Sequence, residues 1–158
     1  MTLKAFQTRV FLFVPVLFAV LATSASSAII RVKWDSPNNG PGNDWSHAYH
    51  TVTAGIAASV SGDEIWVAGD NAHPYLERIT LRSGAGMCGG FAGTETIRAE
   101  RNWKTNVTIL DASGGDVVRA ESDAATTTVL DGFTVRNGST GIYCSDSSSP
   151  LVTNNTIS

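Results

Sequence analysis

Residues 129–136 read VLDGFTVR and residues 151–158 read LVTNNTIS. Aligned at a constant offset of 22 residues, the segments share apolar residues at 129 and 151, at 130 and 152 and at 135 and 157, and they share threonine at 134 and 156. Such an offset is typical of one coil of a β-solenoid, because a coil buries its inward face only by stacking on an equivalent neighbour. The repeat therefore predicts stacked coils, with a β-sandwich as the alternative.

Short apolar runs continue through the chain after Gly62. They are separated by Gly, Asn, Asp and Ser, which is typical of strands joined by turns. The predicted strands are residues 64–68, 78–81, 87–91, 106–110, 116–120, 126–136, 141–144 and 151–157. Residues 106–111 (NVTILD) also resemble residues 128–131 (TVLD) at an offset of about 20, which indicates coils of variable length.

The segment before these strands has a different period. Residues 29–34 predict a short strand and residues 36–43 a loop. Apolar residues then recur every three or four positions, at Trp45, Ala48, Tyr49, Val52, Ile56 and Val60. This spacing predicts one amphipathic helix that has Asp44 or Ser46 as its N-cap and ends at Gly62. We expect Trp45, Tyr49, Val52 and Ile56 to cover the open end of the first coil; the alternative is a helix packed on a sheet face.

The first 28 residues have the pattern of a secretory signal peptide. Lys4 and Arg9 precede an apolar run at residues 10–21, and small residues (Ser26, Ser27, Ala28) follow it. Signal peptidases require small side chains at the cleavage site, so the pattern predicts cleavage after Ala28. An uncleaved anchor is the alternative. We expect a secreted or cell-surface protein.

The composition limits the classes of function. The chain has 158 residues, enough for one domain, with 11 Lys and Arg against 14 Asp and Glu and a formal net charge of −3. Without a basic cluster, nucleic acid is excluded as a partner. Cys88 and Cys144 lie in strand-like runs and are predicted to be free, buried and inward-facing, although a disulfide stays an alternative. No cysteine or histidine spacing indicates a zinc site, and no cofactor is predicted.

Several segments resemble secreted bacterial proteins of the pectate-lyase-like superfamily. They are residues 43–49 (NDWSHAY), 62–68 (GDEIWVA), 89–96 (GGFAGTET), 101–103 (RNW) and 106–110 (NVTIL), followed by the coil-like residues 129–135 and 154–157. The resemblance implies an all-β fold, a right-handed single-stranded parallel β-helix with an N-terminal amphipathic capping helix. Together with the signal-peptide pattern at 1–28, this predicts a strand, loop and capping helix at 29–62 and coils at 63–158. Members of this superfamily usually have more coils, so we expect Ser158 to truncate a longer protein.

Polysaccharide elimination would need clustered acidic calcium ligands and a basic residue, usually arginine. The candidates are Asp111, Asp131, Arg119 and Arg136, but acidic residues are scattered singly, so we expect Asp111 and Asp131 to serve in turns or side-chain ladders. Hydrolysis would need paired carboxylates. The adjacent Asp63 and Glu64 are instead expected to bind backbone donors and to face water, respectively. No catalytic, cofactor-binding or metal-binding residue is predicted.

Three further patterns have structural and functional interpretations. Residues 84–89 (GAGMCG) match G-x-G-x-x-G but precede a strand, so tight turns explain the glycines. Trp34, Trp66, Trp103 and Tyr75 could stack on sugars, but we expect packing roles, with Trp66 in the core and Ile65 or Val67 outward. Asn106, Asn137 and Asn154 begin glycosylation sequons. For Asn137, Asn154 and Asn155 we expect stacked side-chain ladders instead.

Together, these features favour a non-enzymatic extracellular or cell-surface scaffold or interaction protein, similar to an adhesin. Its partners would be extracellular polysaccharide or cell-surface components, and it would meet the membrane only through the signal peptide during export. One alternative is the N-terminal, non-catalytic portion of a polysaccharide lyase or glycoside hydrolase. Another is a carbohydrate-binding module.

Overall fold

A computed structural model describes residues 26–145 and 147–158, so residues 1–25 of the predicted signal peptide lie outside the described residues. The described chain is mostly β, with a single α-helix, α1 (Val52–Ala58), and short 3-10 helices at Trp45–His47 and Arg98–Glu100. None of its helices is long and apolar enough to cross a membrane. The strands are β1 (Ile29–Val32), β2 (Glu64–Ala68), β3 (Ile79–Thr80), β4 (Gly86–Phe91), β5 (Thr108–Asp111), β6 (Asp116–Ala120), β7 (Val129–Asp131), β8 (Phe133–Arg136), β9 (Thr140–Cys144), β10 (Leu151–Thr153) and β11 (Thr156–Ile157).

The strands form three sheets in which neighbours are parallel. The first sheet has the order β1-β2-β4-β7-β10, the second β11-β8-β5, and the third β3-β6-β9. From β4 onward the chain enters the first, second and third sheets in turn, and then repeats this order. Parallel neighbours require a long crossover connection. The β1–β2 crossover contains α1 and the β2–β4 crossover contains β3, whereas every later crossover contains strands of the other two sheets.

The strand register confirms the 22-residue repeat. Val129 lies beside Leu151 and Leu130 beside Val152 in the first sheet, and Val135 lies beside Ile157 in the second. The second alignment, with an offset of about 20, is wrong. Leu110 lies beside Val135, 25 positions later, because residues 108–111 belong to the second sheet and residues 129–131 to the first.

The runs predicted as single strands at residues 126–136 and 151–157 each contain two strands. The chain bends between β7 and β8 at Gly132, whose φ is +80°, and between β10 and β11 at Asn154, whose φ is +53°. Both values lie in the left-handed region, which glycine and asparagine tolerate best. A Cβ at position 132 would also lie 2.7 Å from Nη1 of Arg101. Each bend moves the chain from the first sheet to the second.

The long helix predicted from Trp45 to Val60 is wrong. Asp44 accepts a hydrogen bond from the His47 amide at 2.9 Å and caps only the 3-10 turn. The chain then extends along the free edge of β1, where the Tyr49 amide donates to the Arg31 carbonyl at 2.9 Å. α1 begins after Thr51. Apolar residues recur through both segments although only the second is α-helical: Tyr49, Val52 and Ile56 pack against one cluster, and Trp45 packs beside Phe91 in another.

α1 packs against β1 and β2 of the first sheet and against β3 of the third. Val52 is fully buried, and Ile56 and Tyr49 pack against the same core. Glu77 accepts hydrogen bonds at 2.8 Å from the amides of Val52 and Thr53, which have no carbonyl partner within the helix. The edge of β1 is therefore covered by the extended residues 48–50, and α1 packs beside them against the same core.

Two apolar clusters stabilise the sheets. The inner core joins residues of all three sheets, including Ile65, Leu110 and Val118, which are at most 1% exposed. The outer aromatic cluster lies on the other face of the first sheet and contains Trp66, Ala68, Cys88 and Phe91, with Ile29 and Trp45 packed against them. Alternate residues of β2 enter different clusters, as strand geometry requires. The prediction that Ile65 or Val67 faces outward is wrong, because both lie in the inner core.

Candidate functional site

Asp111, at the end of β5, is bound by two side chains from the end of β8 and the following turn. Arg136, its register partner, donates from Nε to Oδ2 at 2.8 Å. Asn137 donates from Nδ2 to both carboxylate oxygens at 2.9 Å. Hydrogen bonds from Asn137 and Arg136 hold the pKa of Asp111 below its ordinary value. Asp111 is therefore a charged acceptor within a turn, as the turn interpretation predicts.

Asp131, at the end of β7, has an analogous set of partners. Its carboxylate pairs with Nη2 of Arg101, and the Nδ2 group of Asn154 donates to Oδ1 at 2.8 Å. Arg101 also donates from Nη1 to the Gly89 carbonyl at 2.8 Å, so it links β4 to β7. No local pattern predicts the pairing of Arg101 with Asp131, because Arg101 lies in an irregular segment 30 positions before its partner.

Arg119, on β6, lies in the third sheet. Its guanidinium group binds Asp116 at 2.8 Å and Glu121 at 3.3 Å, and its carbon lies 4.8 Å from the ring centre of Tyr143. Of the four candidates for elimination chemistry, only Asp111 and Arg136 are thus brought together. Asp131 lies in the first sheet, Asp111 and Arg136 lie in the second, and Arg119 lies in the third. Each carboxylate is bound by one arginine and one asparagine, so both of its oxygens have a protein partner and its charge is balanced by a guanidinium group.

The adjacent carboxylates Asp63 and Glu64 point to different partners. Asp63 is buried and accepts backbone hydrogen bonds from Ala28 at 2.9 Å and Val60 at 2.8 Å, which confirms its predicted role. Glu64 is half-buried between Nε1 of Trp66 and the guanidinium group of Arg98, so the prediction that it faces water is wrong. Across residues 26–145 and 147–158, no group of three or more His, Cys, Asp and Glu side chains is arranged to hold a metal ion.

The asparagines expected to form side-chain ladders bind other groups. Asn137 and Asn154 donate to Asp111 and Asp131, as described above. Asn155 donates from Nδ2 to the Leu130 carbonyl at 2.8 Å and accepts from the Phe133 amide at 2.9 Å. Asn154 and Asn155 satisfy polar groups at the bends between the first and second sheets, and Asn137 does so where the chain passes from the second sheet to the third. The prediction that they stack on one another is wrong.

The other predictions on glycines and cysteines have mixed outcomes. Gly84 has a φ of +73° in the turn before β4, and a Cβ on Gly89 would lie 2.6 Å from the Gly132 carbonyl oxygen. Turn geometry and close strand approach thus account for these glycines, as predicted. Both cysteines are free, but only Cys88 is buried. Cys144 is exposed, so the prediction that it faces inward is wrong.

The aromatic residues divide into buried and accessible ones. Trp66 and Tyr75 are buried, and the Tyr75 hydroxyl donates to the Ala68 carbonyl at 2.9 Å. Burial raises the pKa of Tyr75 well above its ordinary value. Trp103 is half-buried. Trp34 is 38% exposed, which makes it the most accessible of the four predicted sugar-stacking candidates.

Trp34 belongs to an exposed polar surface at the start of the loop after β1. Its ring stacks on His73 with a centroid distance of 3.9 Å and an interplanar angle of 25°. His73 Nδ1 lies 2.6 Å from Oδ2 of Asp70, which fixes the imidazole. A cavity of about 140 Å³ adjoins the indole and is lined by Lys33, Trp34, Asp35, Ala68, Gly69, Asp70 and Ala92. We call these residues with His73 the Trp34 surface.

A larger cavity, of about 600 Å³, lies between the end of α1 and two turns. Its lining residues are Ile56, Val60, Ser61, Thr80, Leu81, Arg82, Ser83, Glu121 and Asp123. No aromatic residue is among them. The Trp34 surface therefore has the better combination of groups for ligand binding, because it offers a flat ring beside charged hydrogen-bonding groups.

Comparisons were made with protein-family models, curated proteins and solved structures. None of the three finds a match to this chain.

Proposed function

We propose that this chain is a right-handed parallel β-helix that acts as a non-enzymatic scaffold or interaction module, secreted or displayed at the cell surface. Three features support the solenoid: parallel pairing in all three sheets, their repeated order along the chain, and a core shared by all three. A chain that enters three sheets in rotation, with equivalent strands in register, is expected to wind around its own core.

The contacts of Asp111 and Asp131 support the non-enzymatic part of the proposal. Asp111 and Asp131 follow strands of different sheets, yet each binds one arginine and one asparagine. Such contacts tie neighbouring strands together and use the carboxylate oxygens that catalysis or calcium binding would need. The side chains most suggestive of lyase chemistry are therefore structural in this proposal.

The test uses the full-length chain after export and purification. Eliminative cleavage of polygalacturonate with added calcium is followed by absorbance of the unsaturated product, and hydrolysis by reducing ends. We expect neither activity, and we expect Asp131→Asn to lower the thermal unfolding midpoint. Turnover that disappears in Asp131→Asn or Arg136→Gln, with the fold retained by circular dichroism, would contradict the non-enzymatic proposal.

The Trp34 surface favours a second candidate function, carbohydrate binding. An accessible indole can stack on the apolar face of a sugar, while Lys33, Asp35 and Asp70 can exchange hydrogen bonds with its hydroxyls. We expect soluble polysaccharides to quench tryptophan fluorescence and to retard the protein in affinity gels, and Trp34→Ala to abolish both effects. Leu76→Ala is the matched control, because Leu76 is an exposed apolar residue without a ring. Equal retardation of both variants would reject this surface.

A further inference from the structure

The charged side chains around the cavity of the Trp34 surface are unequally divided between the two signs. Lys33 supplies one ammonium group, whereas Asp35 and Asp70 supply two carboxylates. His73 lies against Asp70, with Nδ1 at 2.6 Å from Oδ2, so any positive charge on the imidazole is balanced by that carboxylate. With a neutral imidazole, the surface around the indole is therefore net negative.

Lys33 is held in a position from which it cannot offer an unpaired charge to an acidic ligand. Its ammonium group pairs with Oδ1 of Asp35. Its alkyl chain lies over Gly93, where a Cβ would be only 2.6 Å from Cε of Lys33. The Lys33 side chain is 22% exposed, against 43% for Asp35 and 41% for Asp70. The carboxylates therefore face the solvent more than the ammonium group does.

The buried hydroxyl of Tyr75 lies beside this surface and responds to its charge. It donates to the carbonyl of Ala68, a residue that lines the cavity. Burial makes the largest contribution to the raised pKa of Tyr75, and the negative charges of Glu77, Asp35 and Asp70 raise it further. Glu77 thus adds a third carboxylate to the neighbourhood, which makes the region around the indole acidic.

We propose that the Trp34 surface selects uncharged sugars and excludes uronic acids. A neutral sugar can stack its apolar face on the indole while its hydroxyls donate hydrogen bonds to Asp35 and Asp70. A uronate in the same place would bring its carboxylate close to these two like charges, and Lys33, the one ammonium group among the described residues that line the cavity, is already paired. The inference rests on the carbohydrate binding proposed for this surface and adds the class of sugar.

The experiment compares neutral polysaccharides with their own oxidised derivatives. Soluble β-glucan, galactan and glucomannan are each used unmodified and after oxidation of their primary hydroxyl groups to carboxylates, which keeps the linkages and adds only charge. Retardation of the full-length chain, exported and purified, is measured in affinity gels against a gel without polysaccharide. The gels are run at low ionic strength, where charge repulsion is least screened, and at pH 8, where an ordinary imidazole is neutral.

Two carboxylate variants locate the source of the selectivity. Asp35→Asn removes one of the two charges beside the indole and keeps a hydrogen-bonding side chain of the same size. Asp123→Asn is the matched control, because it removes the same charge from an exposed residue outside the Trp34 surface. Both variants change the net charge of the chain equally, so a difference between them reports on the surface itself.

We expect at least one neutral polysaccharide to retard the wild-type chain and its oxidised form to bind about fivefold more weakly or worse. Asp35→Asn should reduce this ratio, and Asp123→Asn should keep it. Oxidised forms that bind as tightly as the neutral ones, or a ratio that falls equally in both variants, would overturn the inference while leaving carbohydrate binding intact. If no polysaccharide of either kind retarded the chain, the proposed carbohydrate binding would fail, and the inference with it.

Discussion

The inner core and the outer aromatic cluster are built from the two faces of the same strands, but they connect different parts of the molecule. The inner core is largely aliphatic and joins all three sheets. The outer aromatic cluster joins the first sheet to the segment before α1, where Trp45 lies 5.7 Å from Phe91 between ring centres. The Arg31 guanidinium group lies 5.4 Å from the ring centre of Trp66 and 5.7 Å from that of Trp45.

The outer aromatic cluster depends on a loop that has its own stabilising contacts. Glu95 is buried, and its carboxylate accepts hydrogen bonds from the amides of Ala92, Gly93 and Thr94 at 2.7–3.0 Å. Its carbonyl accepts from Nε1 of Trp45 at 2.9 Å. The inner core thus follows from strand alternation, whereas the outer cluster also requires loop geometry. Damage to the inner core should destabilise the whole chain, and damage to the outer cluster should act locally.

The largest effect is expected from Leu130→Ala in the inner core. Leu130 is fully buried, so truncation removes apolar contacts and leaves a cavity, at a cost of about 2–5 kcal/mol in the free energy of unfolding. Chemical denaturation of the purified protein measures this cost.

Val152→Ala is the matched control, because Val152 lies beside Leu130 in the first sheet but is 39% exposed. We expect this variant to lose less than about 1 kcal/mol. If the two variants lost equal stability, the inner core would not be the structure on which global unfolding depends.

A smaller loss in the free energy of unfolding is expected from Arg101→Met, which tests the contact between Arg101 and Asp131. Asp131 would keep Asn154 but lose its guanidinium partner, so we expect a loss of about 1–3 kcal/mol by thermal or chemical unfolding. Arg98→Met is the control, because the Arg98 side chain is 54% exposed in its pair with Glu64. Its expected cost is below about 1 kcal/mol. Similar losses in both variants would contradict a special role for the Arg101 contact.

Sequence reasoning predicted the regular parts of this molecule well. The repeat at residues 129–136 and 151–158 gave the register of two sheets, because inward positions recur whenever equivalent strands stack. β2 and β6 lie where their apolar runs predicted them. The sequence pattern did not predict the bends at Gly132 and Asn154, because an apolar run continues through each of them. At Gly132 the strands on both sides of the bend contribute to the inner core.

The irregular parts of the molecule were harder to predict from the sequence, because the residues that they contact are distant along the chain. The Trp45–Val60 pattern has helical spacing, yet pairing of Tyr49 with β1 replaced part of the helix. The contact between Arg101 and Asp131 depends on the path of a loop, which no local pattern encodes. The Trp34 surface is similar: the sequence marked Trp34 as a candidate, but only the fold places His73 against it.

The free energy of unfolding should depend modestly on pH through the polar contacts of Asp111. Because Asn137 and Arg136 lower the pKa of Asp111 in the folded chain, its ionised form contributes stability above the ordinary value of 3.8. That contribution is lost as the pH falls through the lowered folded pKa. We expect Asp111→Asn to flatten this acid decline in unfolding free energy, and exposed Asp123→Asn to leave it unchanged. A decline of equal steepness in Asp111→Asn would exclude Asp111 as its source.

Cysteine labelling tests most directly whether the two clusters open separately. The variant used in this test, Trp45→Leu, should have the smallest effect on stability. Cys88 lies in the outer aromatic cluster, where burial raises its thiol pKa to about 11, while Cys144 is exposed. At mildly alkaline pH we expect a disulfide reagent to label Cys144 quickly in the native protein and Cys88 only when its surroundings open. Trp45→Leu should accelerate Cys88 labelling with little change in the unfolding midpoint.

The dependence of Cys88 labelling on denaturant distinguishes local from global opening. A local opening exposes little surface, so in Trp45→Leu the rate should barely respond to low denaturant concentrations. In Leu130→Ala any acceleration should instead follow the lost global stability and rise steeply with denaturant. If labelling in both variants tracked global stability, the outer aromatic cluster would unfold only with the inner core, and the two faces of the first sheet would form a single cooperative unit.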